Sequence, residues 1–258
     1  MSAATRPRRI VCLVPSLTEA LFVLGLGERV VGVTDWCVHP AAAVARLPKV
    51  GGTKTASVAK IADLQPDLVI ANREENRRQT VDRLGEAGIA VWVTYPRTVR
   101  DGARLLRELA DLGASESAVA AVVEPVEALV EEAEAARPAR ATSVFCPIWR
   151  DPWMAVGPDT YADDLLRLCG GRNVFAHRHE RRYPLVEERE VVAAAPEVIL
   201  LPDEPYAFGP RDVAGLSGFD VPAARNARIH LIDGTLVSWY GPRIKRAIET
   251  LRPLLAAS

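Results

Sequence analysis

The stretch Ile61-Ala62-Asp63-Leu64-Gln65-Pro66-Asp67-Leu68-Val69-Ile70-Ala71 contains the end of a helix, a proline, an acidic residue and a buried strand. The same order returns in the second half of the chain, in Val191-Val192-Ala193-Ala194-Ala195-Pro196-Glu197-Val198-Ile199-Leu200-Leu201. Each stretch is followed by a further strand-like apolar run, at 89–93 and at 229–232. A unit that occurs twice in this way predicts two similar α/β lobes.

Strands and helices alternate on both sides of the first stretch. Ser16 and Glu19 have the spacing of a capping box, so we expect Ser16 to cap the helix that opens at Pro15. Alternation of this kind indicates a parallel, doubly wound sheet. The predicted strands are 9–14, 29–33, 67–71 and 89–94, and the helices after the first are 57–64, 75–87 and 98–112.

A long helix is predicted between the two halves, because Ser115 to Ala136 is rich in Ala, Glu and Val at helical spacing. Ser115 is a suitable N-cap, and Pro125 predicts a kink or a local break near Val123. Arg137-Pro138 ends the pattern. We therefore predict an α/β fold of two doubly wound lobes with parallel sheets, joined by a long backbone helix. The predicted domains are 1–113, the helix 114–137, and 138–258.

Composition and charge narrow the classes of partner. The 258-residue chain is 49% hydrophobic and 25% charged, which is ordinary for a globular protein, and its net charge of −1 favours neither nucleic acid nor an anionic membrane. The apolar run after Arg9 is interrupted by Pro15 and Glu19, and no small-residue cleavage motif follows it. We therefore expect a cytoplasmic protein without a nucleic-acid or membrane partner.

The chain carries no sequence signature of catalysis. It has no GxSxG elbow, no phosphate-binding Walker loop, no GxGxxG and no HExxH motif, so we predict that it is not an enzyme. The four cysteines are widely spaced, which argues against a zinc ribbon or a disulfide framework and favours buried thiols at Cys12, Cys146 and Cys169. The fourth cysteine is Cys37.

Five ordered motifs resemble those of a known family, the cobalamin- and ferric-siderophore-binding proteins of ABC importers. The resemblance covers nearly the whole chain and is closest to the cobalamin-binding branch. It implies two lobes bridged by a backbone helix, a ligand held between the lobes, and no required cofactor. The motifs are Val14-Pro15-Ser16-Leu17-Thr18-Glu19, Gly25-Leu26-Gly27, Val31-Gly32-Val33-Thr34-Asp35, Leu64-Gln65-Pro66-Asp67-Leu68-Val69-Ile70 and Leu168-Cys169-Gly170-Gly171-Arg172-Asn173-Val174-Phe175.

The loops that follow the predicted strands are rich in aromatic and charged residues. Ligands of open α/β sheets bind at this edge, and flat aromatic walls suit a large, partly planar ligand. The alternative is that these side chains pack one lobe against the other. The predicted ligand-binding residues are Trp36, Arg73, Glu74, Tyr95, Trp149, Arg150, Trp153, Asp203, Tyr206, Trp239 and Tyr240.

The resemblance adds detail at four of these loop positions. It places Trp36 and Trp153 where cobalamin binders have aromatic ligand contacts, whereas Thr53 and Asn72 occupy two further positions that are aromatic in that branch. A cobalamin-like corrinoid or another metal chelate is therefore the expected ligand.

The charged residues after the third strand have two interpretations. Arg73, Glu74, Glu75 and Arg77 can pair with Arg150, Asp203 and Glu204, or they can grip carboxylates or amides of the ligand.

Direct metal binding is predicted for one pair of side chains only. Cys37 and His39 flank a single loop residue and are candidate ligands for a soft or borderline metal, with Asp35 nearby. The alternative is that His39 is a simple loop residue before Pro40. His177 and His179 lie in a basic stretch and are expected to be solvated.

The resemblance also bears on the partner. Family members that work with an importer carry one surface glutamate on each lobe, which pairs with permease arginines. The matching positions hold Ala59 and Arg189, although a shift of one residue would bring in Glu188 or Glu190. A lost acid and an inverted charge predict poor docking to an ABC permease. We therefore expect an intracellular carrier or sensor of a corrinoid or other metal chelate. The alternative is an importer-coupled receptor for ferric siderophore or haem.

Overall fold

The computed structural model describes residues 6–136 and 140–256. By internal contacts the chain divides into two units, and it enters each of them more than once. The predicted domain boundaries stay a prediction. Unit 1 comprises Met1–Pro96, Gly102–Glu127 and Tyr240–Pro242, and unit 2 comprises Arg97–Asp101, Ala128–Trp239 and Arg243–Ser258.

Unit 1 is built on a parallel four-stranded sheet with the order β2-β1-β3-β4. Its strands are β1 (Ile10–Cys12), β2 (Val30–Val33), β3 (Leu68–Asn72) and β4 (Val91–Thr94). Its helices are α1 (Pro15–Val23), α2 (Ala41–Val44), α3 (Val58–Asp63), α4 (Arg78–Glu86) and α5 (Val99–Ala110), the last of which begins in unit 2.

The central strands of this sheet are fully buried because helices cover a parallel sheet on both faces. Val11 and Leu13 are 0% exposed, and they pack with Val69, Ile61 and Leu84 in one apolar cluster. The register is direct, with Ile10 opposite Leu68 and Cys12 opposite Ile70. The carboxyl ends of β1 and β3 therefore lie side by side.

The predicted capping role of Ser16 is wrong. Helix α1 begins at Pro15 with Val14 as its N-cap, and no side chain caps it. Proline suits the first helical position because the N–H that it lacks has no intrahelical acceptor there. Ser16 is already inside the first turn and is buried, while the Thr18 hydroxyl donates to the Val14 carbonyl at 3.0 Å.

The predicted long helix is present as α6 (Glu116–Ala118), a π-helical stretch at Val119–Val123, and α7 (Glu124–Ala135). The Ser115 hydroxyl accepts from the Ala118 N–H at 3.1 Å, which confirms the predicted cap. The predicted irregularity near Val123 is also confirmed. It comes directly before Pro125, whose ring clashes with the carbonyl four residues earlier in a regular helix. The predicted end at Arg137-Pro138 lies outside the described residues.

Unit 2 contains a second parallel sheet with the order β10-β9-β5-β8, and a separate antiparallel hairpin β6-β7. The strands are β5 (Thr142–Phe145), β6 (Pro147–Trp149), β7 (Met154–Ala155), β8 (Gly171–Asn173), β9 (Val198–Pro202) and β10 (Ile229–Ile232). The helices are α8 (Tyr161–Leu168), α9 (Glu188–Ala194), α10 (Pro210–Leu216), α11 (Pro222–Arg225), α12 (Thr235–Ser238) and α13 (Arg243–Leu255).

The two sheets repeat one topology, as the sequence predicts. Leaving the hairpin aside, each sheet has its second, first, third and fourth strands in that order. The repeated stretches also share a backbone feature, since Gln65 and Ala195 have φ angles of 45° and 44°. A left-handed residue ends a helix, and a following proline prevents its continuation. The prediction of an α/β fold with parallel sheets is confirmed.

Candidate ligand-binding loops

In unit 1 the loop 72–76 begins at the carboxyl end of β3, and the Asn72 side chain organises it. The Asn72 Oδ1 accepts from the backbone N–H groups of Glu74 at 2.7 Å and Glu75 at 3.2 Å. The Asn72 backbone N–H donates to Asn76 Oδ1 at 2.8 Å. Asn72 is only 2% exposed, so these bonds form away from solvent.

The same asparagine explains one departure from the aromatic pattern of cobalamin binders. A buried amide that holds its own loop is not a ligand wall, so Asn72 serves the shape of the site. Thr53, at the second departure, takes part through its backbone, because its carbonyl accepts from Asn76 Nδ2 at 2.9 Å. Lys54 donates to the Glu74 carbonyl and joins the two loops.

Arg73 and Tyr95 lie together in unit 1, each directly after the end of a strand. The Arg73 N–H donates to the Thr94 carbonyl at 3.0 Å, which ties the loop to β4. Its guanidinium lies 4.9 Å from the centroid of the Tyr95 ring, within the range of a cation–π contact. Arg73 is exposed, and Tyr95 is partly exposed. The pair therefore presents a positive charge backed by an aromatic ring.

Tyr240 also belongs to unit 1, where it is buried beside the loop. Its hydroxyl accepts from Asn72 Nδ2 at 2.8 Å and donates to Glu75 Oε1 at 3.3 Å. Burial raises the pKa of Tyr240 well above its ordinary value, and the charge of Glu75 raises it further. With 6% of its surface exposed, Tyr240 contributes a hydrogen-bonding hydroxyl to this loop and little ring surface to a ligand.

Trp36 and Cys37 are neighbours in sequence and lie in opposite environments. Trp36 is 65% exposed and lies against Gly52, where a Cβ would come within 3.5 Å of its indole nitrogen. Cys37 is 0% exposed, and its Sγ is 3.2 Å from the hydroxyls of both Thr18 and Thr34. Trp36 is thus available to a ligand and Cys37 is packed inside.

The burial of Cys37 weighs against the predicted metal site at Cys37 and His39. Burial raises the pKa of the Cys37 thiol, whereas a metal ligand must be a thiolate. Within residues 6–136 and 140–256, no group of three or more His, Cys, Asp and Glu side chains is placed to hold a metal ion. The metal-ligand role of this pair stays a prediction.

In unit 2 the hairpin of β6 and β7 carries three of the predicted residues. Trp149 is 45% exposed, and its ring meets Tyr206 edge-on, with centroids 5.5 Å apart. Trp153 is only 7% exposed and stacks on Phe208 with centroids 6.0 Å apart and an interplanar angle of 8°. Its other neighbour is Phe145, whose ring it meets edge-on at 6.1 Å. Trp153 is therefore part of the core of unit 2, and its ligand contact stays a prediction.

Arg150 is held between this aromatic core and an acid. Its guanidinium lies 5.2 Å from the centroid of the Trp153 ring and forms an ion pair with Asp212. Burial raises the pKa of Asp212, but the Gly209 N–H and the Arg150 guanidinium outweigh burial, and the pKa is lowered overall. Asp212 was not predicted as the partner of Arg150, because a buried acid in a short helix has no distinguishing local pattern.

The remaining predicted residues of unit 2 follow β9 and β10. Asp203 is exposed and accepts from the Gly234 N–H at 2.7 Å, while Glu204 accepts from the Ser238 hydroxyl at 2.6 Å. Trp239 is 7% exposed, with the Arg243 guanidinium 4.6 Å from its ring centroid. Asp203 and Trp239 therefore have structural partners already, and the exposed aromatic surface of these loops comes from Trp149 and Tyr206.

Phe208, Asp212 and Asn72 are the residues that sequence reasoning missed. Phe208 comes two residues after Tyr206 and continues the aromatic run with a ring distance of 4.6 Å, a spacing that the sequence did display. Asn72 was noted only as a missing aromatic, although an asparagine at a strand end is a known organiser of turns.

The positions that match the family's docking glutamates are both on the surface. Ala59 is exposed on α3, and the Arg189 side chain is 81% exposed on α9. Arg189 pairs with Glu187 at 2.7 Å, and Glu190 is engaged by Arg178 at 2.6 Å and by the Glu187 N–H at 2.7 Å. Glu188 is exposed at the first position of α9.

Comparison with known proteins places the chain in a family. Residues 10–236 match the family model described as periplasmic binding protein. The chain belongs to that family. The uncharacterized ABC transporter substrate-binding lipoprotein YvrC of Bacillus subtilis is 27% identical over 253 residues, which cover 95% of this chain and 79% of that protein. The vitamin B12-binding protein of Photorhabdus laumondii is 26% identical over 249 residues, covering 95% and 86%.

A solved structure agrees with these relatives. The periplasmic haem-binding protein RhuT from Roseiflexus sp. RS-1, in its apo form, superimposes with a TM-score of 0.80 at 27% identity, covering 96% of this chain and 97% of that one. The resemblance predicted from the five motifs is confirmed. This chain is a solute-binding protein, and the vitamin B12 and haem named for its relatives are ligands that indicate no cofactor.

The prediction of a cytoplasmic protein is wrong. The relatives include a lipoprotein of an ABC transporter and a periplasmic haem-binding protein. The prediction rested on the N-terminal residues, whereas the family match rests on residues 10–236. The expectation of an intracellular carrier or sensor is withdrawn with it. In the part of the chain that the structure describes, no helix has the length and apolarity to cross a membrane.

Proposed function

We propose that this protein is the substrate-binding component of an ABC importer, and that its ligand is a large, flat metal chelate of the tetrapyrrole class, a corrinoid or a haem. The observation that carries the proposal is the exposure of Trp36 at 65%, on the loop after β2, and of Trp149 at 45%, at the end of β6. Tryptophan is among the residue types most enriched where binding energy is concentrated, and its flat ring can stack on a planar ligand.

The surroundings of these two tryptophans support a planar ligand. The Trp149 ring is braced edge-on by Tyr206, the Trp36 indole lies beside Gly52, and neither ring is buried. Flat ring surface at such a site favours stacking against a macrocycle.

One arginine favours a ligand that also carries acidic or amide groups. Arg73 is exposed and its guanidinium is backed by the ring of Tyr95, whereas Arg150 is already paired with Asp212. An arginine held in this way loses little conformational entropy when it binds a carboxylate. Vitamin B12 and haem, the ligands named for the relatives, both combine a flat macrocycle with such groups.

The test is a titration of the protein with cyanocobalamin, haemin and a ferric siderophore, followed by tryptophan fluorescence and by the visible spectrum of the chelate. We expect saturable binding of at least one tetrapyrrole. Trp36→Ala and Trp149→Ala should each weaken it by about 5- to 150-fold, since truncating a stacking aromatic costs about 1–3 kcal/mol.

Trp92→Phe is the matched control, because Trp92 lies within β4 and outside these loops. It should change the fluorescence baseline and leave the dissociation constant unaltered. Binding of the ferric siderophore alone would overturn the tetrapyrrole assignment. Unchanged affinity in both alanine variants would show that the exposed indoles are not the site.

The surface around α3 and α9 bears on which permease the protein serves. We propose that it does not dock productively on a corrinoid permease that offers arginines at both contact points, because Ala59 supplies no acid and Arg189 supplies a positive charge. Of the neighbouring acids, Glu187 pairs with Arg189 and Glu190 pairs with Arg178. Glu188 is exposed on the same turn, which supports it as a carboxylate that a partner can reach.

A pull-down on a detergent-solubilised corrinoid permease at low salt tests this proposal, because weak screening favours any attraction. The native protein should bind poorly, and Ala59→Glu with Arg189→Glu should bind better. Glu188→Gln in that double variant is the control for a contribution from Glu188. Strong binding by the native protein would refute the proposal.

A further inference from the structure

We infer that Tyr240 is a positioning residue for the ligand site of unit 1: its hydroxyl fixes the Asn72 amide, and through Asn72 it holds the 72–76 loop that presents Arg73. The effect of Tyr240 on the 72–76 loop does not depend on the proposed function. The effect of Tyr240 on ligand binding rests on the proposed function.

The direction of each hydrogen bond around Asn72 follows from its neighbours. The Thr94 hydroxyl donates to the Ala71 carbonyl at 3.0 Å, so toward Asn72 it can only accept. The Tyr240 hydroxyl donates to the Glu75 carboxylate at 3.3 Å, so toward Asn72 it too can only accept. Both acceptors therefore face Asn72 Nδ2, at 3.3 Å from Thr94 and 2.8 Å from Tyr240.

This arrangement leaves Asn72 with one workable orientation. With Nδ2 committed to two hydroxyls, Oδ1 points at the N–H groups of Glu74 and Glu75 and accepts from both. A flipped amide would place Nδ2 against two backbone donors, which is unfavourable in a buried position. Of the two hydroxyls, Tyr240 makes the shorter bond, and it also holds Glu75 directly.

The loop that is fixed in this way carries the exposed arginine. Arg73 is bonded to β4 through its own N–H and lies on Tyr95 through its guanidinium. The turn at Glu74 and Glu75 follows Arg73 directly, so its hydrogen bonds to Asn72 restrain the backbone that carries the Arg73 side chain. Loss of the Tyr240 hydroxyl should therefore loosen the loop and spread the positions of the Arg73 guanidinium.

The chain brings this hydroxyl to the loop through a short excursion. Tyr240–Pro242 belongs to unit 1, while Trp239 and Arg243 on either side belong to unit 2. Gly241 has a φ of 96°, a conformation that suits glycine, and it lets the chain turn directly after Tyr240. Trp239 and Arg243 contact each other across the excursion, with the guanidinium 4.6 Å from the ring centroid.

Hydrogen exchange tests the positioning role without any ligand. Tyr240→Phe keeps the ring and removes only the hydroxyl. The N–H groups of Glu74 and Glu75 should exchange about tenfold faster, as expected for the weakening of one buried hydrogen-bond network by about 1.4 kcal/mol. Tyr161→Phe, which alters a buried tyrosine on α8 in unit 2, should leave these two amides unchanged. Equal protection in the native protein and Tyr240→Phe would overturn the inference.

A double-mutant cycle with the same haemin or cyanocobalamin tests the consequence for binding. Tyr240→Phe should weaken binding about three- to tenfold in the native background and have little effect once Arg73→Ala is present, because residues that act as a unit are not additive. Additive effects would overturn the route through Arg73. If neither tetrapyrrole binds the native protein, the proposed function fails, and the exchange rates still decide what Tyr240 does to the loop.

Discussion

The 72–76 loop of unit 1 and the β6-β7 hairpin of unit 2 follow strands of equivalent sheets, yet they are held by different forces. The 72–76 loop is held by hydrogen bonds that converge on one buried asparagine. The hairpin is held by ring packing, with Trp153 between Phe145 and Phe208, and by the single ion pair of Arg150 with Asp212. A repeated topology therefore does not impose a repeated way of fixing its loops.

Ring packing and hydrogen bonding differ in how much free energy they contribute and in how strictly they specify a geometry. Ring packing is non-directional, and it gains free energy in proportion to the apolar area that it buries. A hydrogen-bond network contributes less net energy but specifies one geometry, and it is costly to leave half satisfied. We expect the hairpin of unit 2 to provide stability and the 72–76 loop of unit 1 to provide precision. Substitutions in each region can separate these roles.

The largest effect is expected for Trp153→Ala. Removing a large ring that is 7% exposed leaves a cavity among Phe145, Phe208 and their neighbours. The free energy of unfolding should fall by about 3–5 kcal/mol, as for other buried aromatic residues cut to alanine. Urea denaturation followed by circular dichroism measures it.

Trp149→Ala is the matched control for that experiment, because Trp149 belongs to the same hairpin but is 45% exposed. It should cost about 1 kcal/mol or less, since little area is lost from the core. Equal losses in the two variants would break the assignment of Trp153 to the core and Trp149 to the surface.

The fold was predictable because it depends on patterns that recur along the chain. The paired stretches ending at Ala71 and Leu201 already display the helix end, the proline, the acid and the buried strand that the two units share. Ser115 predicted the start of the long helix and Pro125 predicted its irregularity, because an N-cap and a proline both act on the backbone within one turn. Ser16 misled because a capping-box spacing is also met by residues inside a first turn.

The site was predictable only in part, because local sequence shows residue type and loop position but not which partner a side chain finds. Trp36, Arg73 and Tyr95 were placed correctly at strand ends. Nothing near Trp153 distinguishes it from Trp149, although one is buried and the other exposed. The ring that stacks on Trp153, Phe208, is distant in sequence and comes from the loop before α10.

A smaller effect, of a different kind, is expected for Asn72→Ala in the 72–76 loop. The substitution removes few apolar contacts, but it leaves the N–H groups of Glu74 and Glu75 without their acceptor and the Tyr240 hydroxyl without its donor. The free energy of unfolding should fall by about 1–3 kcal/mol, the cost of unsatisfied buried groups. Asn226→Ala, at an exposed helix end in unit 2, is the control and should stay within about 0.5 kcal/mol of the native protein.

The contrast with Trp153→Ala lies in the second readout, the tetrapyrrole dissociation constant measured where both variants are fully folded. Asn72→Ala should weaken binding more than its stability loss suggests, because Arg73 loses its fixed position. Trp153→Ala should instead lower the stability more than it weakens binding, as expected if the hairpin of unit 2 mainly provides stability. An Asn72→Ala variant that is destabilised yet binds as tightly as the native protein would show that the 72–76 loop does not need this asparagine to hold its ligand.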